Sequence, residues 1–111
     1  MLPLRVQVVD DDKQVHGRNL KSHGPAVQKG NWLRFEMIFN VPSNHALYWQ
    51  VTNTGDDADK NNDMRGEWIQ GKWLHFEEMK YSGTHMIEVA QIDEARKTIM
   101  AVSERFYYSV I

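Results

Sequence analysis

The run Trp32-Leu33-Arg34-Phe35-Glu36-Met37-Ile38-Phe39 alternates apolar and polar side chains through most of its length. In an extended chain, successive side chains point to opposite faces. Leu33, Phe35, Met37 and Phe39 therefore share one face, and Arg34 and Glu36 share the other. This is the pattern of a half-buried strand. Lys29-Gly30-Asn31 forms a turn before it, and Val41-Pro42-Ser43-Asn44 forms another after it, where proline bars a central strand from continuing.

The same alternation recurs on both sides. Leu47–Asn53 puts Leu47, Trp49 and Val51 on one face and Tyr48, Gln50 and Thr52 on the other. Its short link from Phe39 predicts an antiparallel neighbour. Upstream, Leu4–Val9 alternates with Leu4, Val6 and Val8 inward, and Asp10-Asp11-Asp12 ends it. From Asp10 to Asn31 there is little periodicity, and Gly17, Gly24-Pro25 and Gly30 punctuate the stretch. It predicts a long loop that either hides a short strand near Ala26-Val27 or helps to line a site. Downstream, Asp56–Asp63 carries no helical stripe and predicts a surface loop. Met64–Ile69 and Trp73–Met79 predict short strands about a tight turn at Gln70-Gly71-Lys72. His85–Ile92 follows with Ile87 and Val89 inward, and Thr98–Val102 pairs back on it across the polar connection Asp93–Lys97. Phe106–Ile111 closes the chain with Phe106, Tyr108 and Val110 inward.

These are seven to eight short strands with no sustained helical stripe, internal repeat or low-complexity segment. The expected fold is all-β, an antiparallel two-sheet sandwich of immunoglobulin-like layout. A chain of 111 residues is one domain, spanning 1–111. With 13 Lys+Arg against 15 Asp+Glu, there is no basic excess to hold an extended nucleic acid. The absence of cysteine excludes disulfides and thiolate metal sites, and it fits a reducing cytoplasm. No apolar run approaches membrane-spanning length, and Met1-Leu2-Pro3-Leu4-Arg5 lacks the apolar core of a secretory signal.

Motifs for bond-making chemistry are missing. There is no phosphate-binding glycine loop, nucleophile elbow or His-Glu-x-x-His helix. Asp10-Asp11-Asp12 lacks the spacing and terminal glutamate of a calcium loop and reads as a solvated turn. His16 and His23 read as solvated loop histidines. His75 and Glu77 share a strand face near Glu78 and His85, which makes a metal site geometrically possible. Paired charges on a solvent face are the commoner outcome, and no metal or cofactor is expected. Glu77 and Glu78 point to opposite faces and make no glycosidase pair. The expectation is therefore a binding domain rather than an enzyme.

Recognition chemistry is concentrated in Leu47–His85. Among the four tryptophans, Trp49 reads as core. Trp32, Trp68 and Trp73 fall at strand edges and turns, where an exposed ring can stack on a base or sugar. Arg65 offers a planar fork for phosphate or carboxylate, with a salt bridge to a nearby acid as the plainer reading. Gly55, Gly66 and Gly83 suit turns or close backbone approach. Asn53 suits a turn cap.

The ordered set Trp49-Gln50-Val51-Thr52-Asn53-Thr54-Gly55, Ala58, Arg65-Gly66, Glu78, Tyr81, Gly83 and His85 resembles the adenylyl/guanylyl cyclase and SMODS C-terminal sensor domain. The likeness runs from Leu33 onward, and residues 4–31 carry little of it. It implies a domain linked to a bacterial nucleotidyl cyclase or cyclic-oligonucleotide synthase in nucleotide-based anti-phage defence. Such a domain would bind a nucleotide-like or phage-derived cue and control the catalytic domain. By this resemblance Asn53, Arg65, Tyr81, His85 and Trp68 are the expected ligand contacts. Trp49, Gly55, Gly66, Glu78 and Gly83 are the expected structural positions. The alternatives are a carbohydrate-binding or a protein-interaction sandwich. A sugar site needs a flat row of exposed tryptophan faces, and a protein site needs an apolar strip.

Overall fold

The computed structural model describes residues 1–10, 15–60 and 66–111, with residues 15–18 described by their backbone alone. Arg65, Met64, Asp63, Asp11 and Asp12, each given a reading above, lie outside the described residues. Nine strands and one short helix follow in order: β1 Leu4–Val9, β2 Val15–Leu20, β3 Trp32–Met37, β4 His45–Thr52, α1 Asp56–Lys60, β5 Ile69–Gly71, β6 Leu74–Glu78, β7 Gly83–Asp93, β8 Thr98–Val102 and β9 Phe106–Val110. They build a sandwich of two antiparallel sheets. One sheet has the order β2-β1-β3-β6. The other runs β5-β4-β7, with β8 and β9 sharing the far side of β7. This arrangement is compatible with the expected immunoglobulin-like layout.

Alternation selects the core. Leu33, Phe35 and Met37 of β3 are buried, as are Leu47 and Trp49 of β4, Ile87 and Val89 of β7, and Phe106, Tyr108 and Val110 of β9. Phe35 is the hub between the sheets. Its ring lies 6.4 Å from Trp49, 6.0 Å from Phe106, 5.9 Å from Tyr108 and 6.4 Å from His75. These tilted and edge-on contacts suit the ring quadrupole better than face-to-face stacking.

Several expectations are corrected. The turn after β3 does not make β3 and β4 neighbours: the chain crosses to the other sheet there, and β4 pairs with β5 and β7. Nor do β5 and β6 form a hairpin. Gln70-Gly71 lies inside β5, and the chain changes sheet at Lys72-Trp73. Phe39 does not continue the buried face of β3, because the strand ends at Met37 and both Ile38 and Phe39 are half exposed. In β1, an irregularity between Gln7 and Val8 disturbs the pairing with β2. Val6 and Val9 are fully buried, while Leu4 and Val8 pack only partly against the core.

Residues 10–31 hold a whole edge strand, β2, that the alternation test missed in Val-His-Gly-Arg-Asn-Leu. Val27 does make the short strand contact expected there, as an isolated parallel bridge to Val110. Asp56–Lys60 is a helical turn rather than plain loop. Asp56, Asp57 and Asp59 sit where a helix N-terminus favours negative charge, and Ala58 packs inward, fully buried. No helix among the described residues is long and apolar enough to cross a membrane.

The hub makes a direct prediction. Replacing Phe35→Ala removes contacts to both sheets and should lower unfolding free energy by about 3–5 kcal/mol in urea denaturation. A loss below about 1 kcal/mol would show that the core collapses around the gap.

Candidate functional site

Thr54, Gly55, Tyr81, Gly83 and His85 of the sequence motif meet at one end of the β4–β7 ladder, where they clasp two loops together. His85 is buried, and both of its ring nitrogens are engaged. The Thr54 amide donates to Nδ1 at 3.1 Å, which places the ring proton on Nε2. Nε2–H in turn donates to the Tyr81 carbonyl at 2.7 Å. The Thr54 hydroxyl also donates to the Thr84 carbonyl. Two glycines let the backbones meet. Gly55 and Gly83 have φ of +100° and +129°, and a Cβ on Gly83 would lie 2.5 Å from the Thr54 carbonyl oxygen.

The short helix is tied to the same place. The Asp57 carboxylate accepts from the Ser82 amide at 3.0 Å and pairs with Lys29 at 2.6 Å. The hydrogen bond from Lys29, and then that from Ser82, hold its carboxyl below the usual aspartate value. On the same ladder, Gly66 donates its amide to the Val51 carbonyl at 2.9 Å, and the buried Gln50 amide donates to the Gly66 carbonyl at 3.0 Å. Gly66 thus pins the returning chain to β4.

Asn53, Tyr81 and His85 border a small cleft with Glu77, Glu78 and Tyr108. Its volume is about 40 Å³. That is room on the scale of a water molecule. The Tyr108 hydroxyl is held protonated, first by burial and then by the Glu77 charge, both of which raise its pKa. His75 and Glu77 do not form a solvent-facing pair: they bond at 2.6 Å, and the His75 ring stacks on the core Trp49 at 5.0 Å. Glu78 is exposed. Among the described residues, no group of three or more His, Asp or Glu side chains is arranged to hold a metal ion.

Trp68 lies away from this clasp, on the outer face of the second sheet. It borders a shallow apolar groove of about 410 Å³ with Tyr48, Ala90, Ile92, Ile99 and Val102. The Tyr48 hydroxyl donates to Glu94 there at 2.8 Å.

A larger concavity lies at the opposite end of the ladder. It has a volume of about 850 Å³ and lies between the β3–β4 connection and the β5–β6 crossover. Ile38, Phe39 and Trp73 offer half-exposed apolar surface, and Lys72 is exposed beside them. The wall is held firmly. The Trp49 indole N–H donates to the Lys72 carbonyl at 2.9 Å, and the Met37 amide donates to the Trp73 carbonyl at 2.8 Å. Gly71 lies so close to the Trp49 ring that an added Cβ would be 2.9 Å from it. His45 also lines this groove.

From the sequence, Trp73 reads as an edge tryptophan. Alternation does not connect it with Phe39 or His45, because the crossover that unites them leaves no periodic signal. Signals were present in the break of pattern at Ile38-Phe39 and in the adjacent Lys72-Trp73.

A two-sheet sandwich with recessed surface sites and a loop clasp is a binding module in form. The family model for the Adenylyl/Guanylyl and SMODS C-terminal sensor domain matches residues 2–107, and the chain belongs to that family. It is thus a sensor domain of cyclase and SMODS proteins rather than their catalytic domain. No curated protein matches the sequence.

The clasp makes two predictions. Gly83→Ala combines a left-handed backbone with a clash and should cost about 2–4 kcal/mol. Gly30→Ala, at φ +96° in open space, should cost only about 1–2 kcal/mol. Equal losses in denaturation would remove the argument for close packing at Gly83. The second concerns acid. A depressed carboxyl stabilises the fold above its unfolded-state pKa, and that stability is lost as pH falls through the folded value. Asp57→Asn should therefore lower Tm at neutral pH, and the gap from wild type should close in acid, below the ordinary aspartate range. A gap independent of pH would contradict the pairing.

Proposed function

We propose that this chain senses a nucleotide-like cue in the groove between the β3–β4 connection and the β5–β6 crossover, and passes the signal to a linked bacterial nucleotidyl cyclase or cyclic-oligonucleotide synthase. It would act without catalysis of its own, in the cytoplasm, within an anti-phage nucleotide-signalling system. Membership of a sensor family supports the regulatory part of this reading.

The groove supports the place. Its volume of about 850 Å³ falls in the range of about 300–1,000 Å³ usual for small-molecule sites. It presents the half-exposed rings of Trp73 and Phe39, on which a base can stack, and the exposed Lys72 is among its lining residues. The cleft at Asn53, Tyr81 and His85 holds about 40 Å³ and has no room for a base. Asn53, Tyr81 and His85 are accordingly assigned to the clasp, and the cue to the groove.

A phage-derived protein cue is the second reading. It is favoured by the apolar outer face, where Trp68, Ile99 and Val102 are all substantially exposed. The carbohydrate reading is weaker, because exposed Trp68 and Trp73 border different grooves and do not make a flat row.

A thermal-shift screen against ribonucleotides, followed by calorimetry, tests the proposal. A ribonucleotide should raise Tm, and Trp73→Ala should weaken its binding by roughly 5- to 100-fold, the usual worth of a stacked base, with little change in the Tm of the free protein. Binding indifferent to Trp73→Ala would refute the groove as the site. A shift seen only with phage proteins would favour the outer face.

A further inference from the structure

The outer faces of the two sheets differ in kind. On the first sheet the outward side chains of β1 and β3 are polar and answer one another. Arg5 pairs with Glu36, and Arg34 donates to Gln7 at 3.0 Å and to Glu36 at 3.4 Å. That is the usual outer face of an antiparallel sheet whose other side is buried. On the second sheet the outward side chains of β4, β7 and β8 are largely apolar. Register sets them in rows across the strands, Tyr48–Ala90–Val102 and then Ile92–Ile99. Ala90 is the small residue between Tyr48 and Val102, and the groove of about 410 Å³ opens there. Ile99 stays 65% exposed at its side, and Trp68 also borders it. A small apolar hollow beside aromatic rings has the composition of an interface centre.

The charges lie at the two ends of this groove. Glu88 lines one end, two residues before Ala90 on β7. Lys97 lines the other, just before Thr98, which pairs with Asp93. Gln91 is the midpoint, because Glu88 is three residues before it and Lys97 stands level with Glu94, three residues after it. At the usual strand rise each charge is about 10 Å from the centre. Neither Glu88 nor Lys97 makes an ion pair among the described residues. Glu94 shares the Lys97 end, where its carboxylate accepts from the Tyr48 hydroxyl at 2.8 Å.

An apolar groove with a carboxylate at one end and an ammonium at the other is complementary to itself after half a turn. A twofold axis through its centre lays Lys97 of one copy against Glu88 of the second, and the same operation makes the reciprocal pair. A partner of a single charge sign would meet a like charge at one end. A net charge of −2 sets only weak repulsion between copies. Pairing through the edge of β8 is obstructed, since Leu2 bridges to Ser103 and donates its amide to the Val102 carbonyl at 2.9 Å. We infer that the outer face of the second sheet is a homodimer interface, in which two copies pack sheet on sheet about a twofold axis near Gln91 with reciprocal Lys97–Glu88 pairs. The interface is separate from the groove assigned to the cue, and either assignment can fail without the other.

Sedimentation equilibrium of the full chain, from micromolar to millimolar protein, tests this. The chain should form a reversible dimer. Ile99→Asp buries an unpaired charge at the interface and should weaken the dimer by about 100-fold or more. Its Tm in dilute solution should stay near that of the wild type, because Ile99 is mostly exposed in the single chain. Lys97→Glu and Glu88→Lys should each weaken the dimer by roughly 10-fold, and the double variant should regain most of the affinity. This charge swap tests the same geometry without touching the apolar wall. A chain that stays monomeric throughout overturns the inference and leaves the face free for a protein cue. A dimer indifferent to Ile99→Asp overturns it by placing the contact elsewhere. A double variant no tighter than the single ones overturns the twofold arrangement.

Discussion

The fold at the motif end depends on one buried imidazole with a job for each nitrogen. His85 accepts the Thr54 amide and donates to the Tyr81 carbonyl, so it satisfies one polar group from each of the two loops that meet there. Without it, the Thr54 amide and the Tyr81 carbonyl would each lose a partner. The ring also sets the spacing at which the loops meet. At that spacing the Thr54 carbonyl stands where a Cβ of residue 83 would be, so glycine is required. Asp57 then draws the short helix onto the same loop through Ser82, and Lys29 supplies the opposite charge. Trp49, Gly55, Ala58, Gly66 and Gly83 each have a mechanical reason in the fold.

The far end of the molecule is built differently. There the chain changes sheet twice, after β3 and after β5, and the two crossovers leave a groove between them. Trp49 links the two ends of the molecule. Its ring packs in the core against Phe35 and His75, while its N–H holds the crossover at Lys72. From His45 to Thr52, β4 spans about 24 Å at the usual strand rise. It is paired with β7 along that whole length. The clasp and the groove are therefore the two ends of one ladder. On the proposed reading the clasp fixes the scaffold and the groove meets the cue.

Much of this was legible in the sequence, and the limits have physical causes. Period-two alternation found β1, β3, β4, β7 and β9, because each buries one face. It missed β2, an edge strand whose central glycine and mixed polarity leave no pattern. It joined β3 to β4 and β5 to β6, since a turn signal states where a chain reverses and not which sheet receives it. The helix at Asp56–Lys60 was hidden because aspartates are poor helix formers in general and good ones only in a first turn. At the site, the resemblance marks Asn53, Tyr81 and His85 but not what their polar atoms meet. A histidine reads the same in sequence whether its nitrogens face a ligand or two loops.

On the proposed reading, the motif end is mechanical and the opposite end meets the cue. Amide chemical shifts of the labelled chain, followed during titration with the ribonucleotide that gives the largest thermal shift, test it most directly. The largest changes should fall on residues 36–47 and 70–73, while Asn53–Ala58 and Tyr81–His85 move little. Changes centred on Asn53, Tyr81 and His85, with residues 36–47 and 70–73 unmoved, would contradict it and return the ligand to the motif.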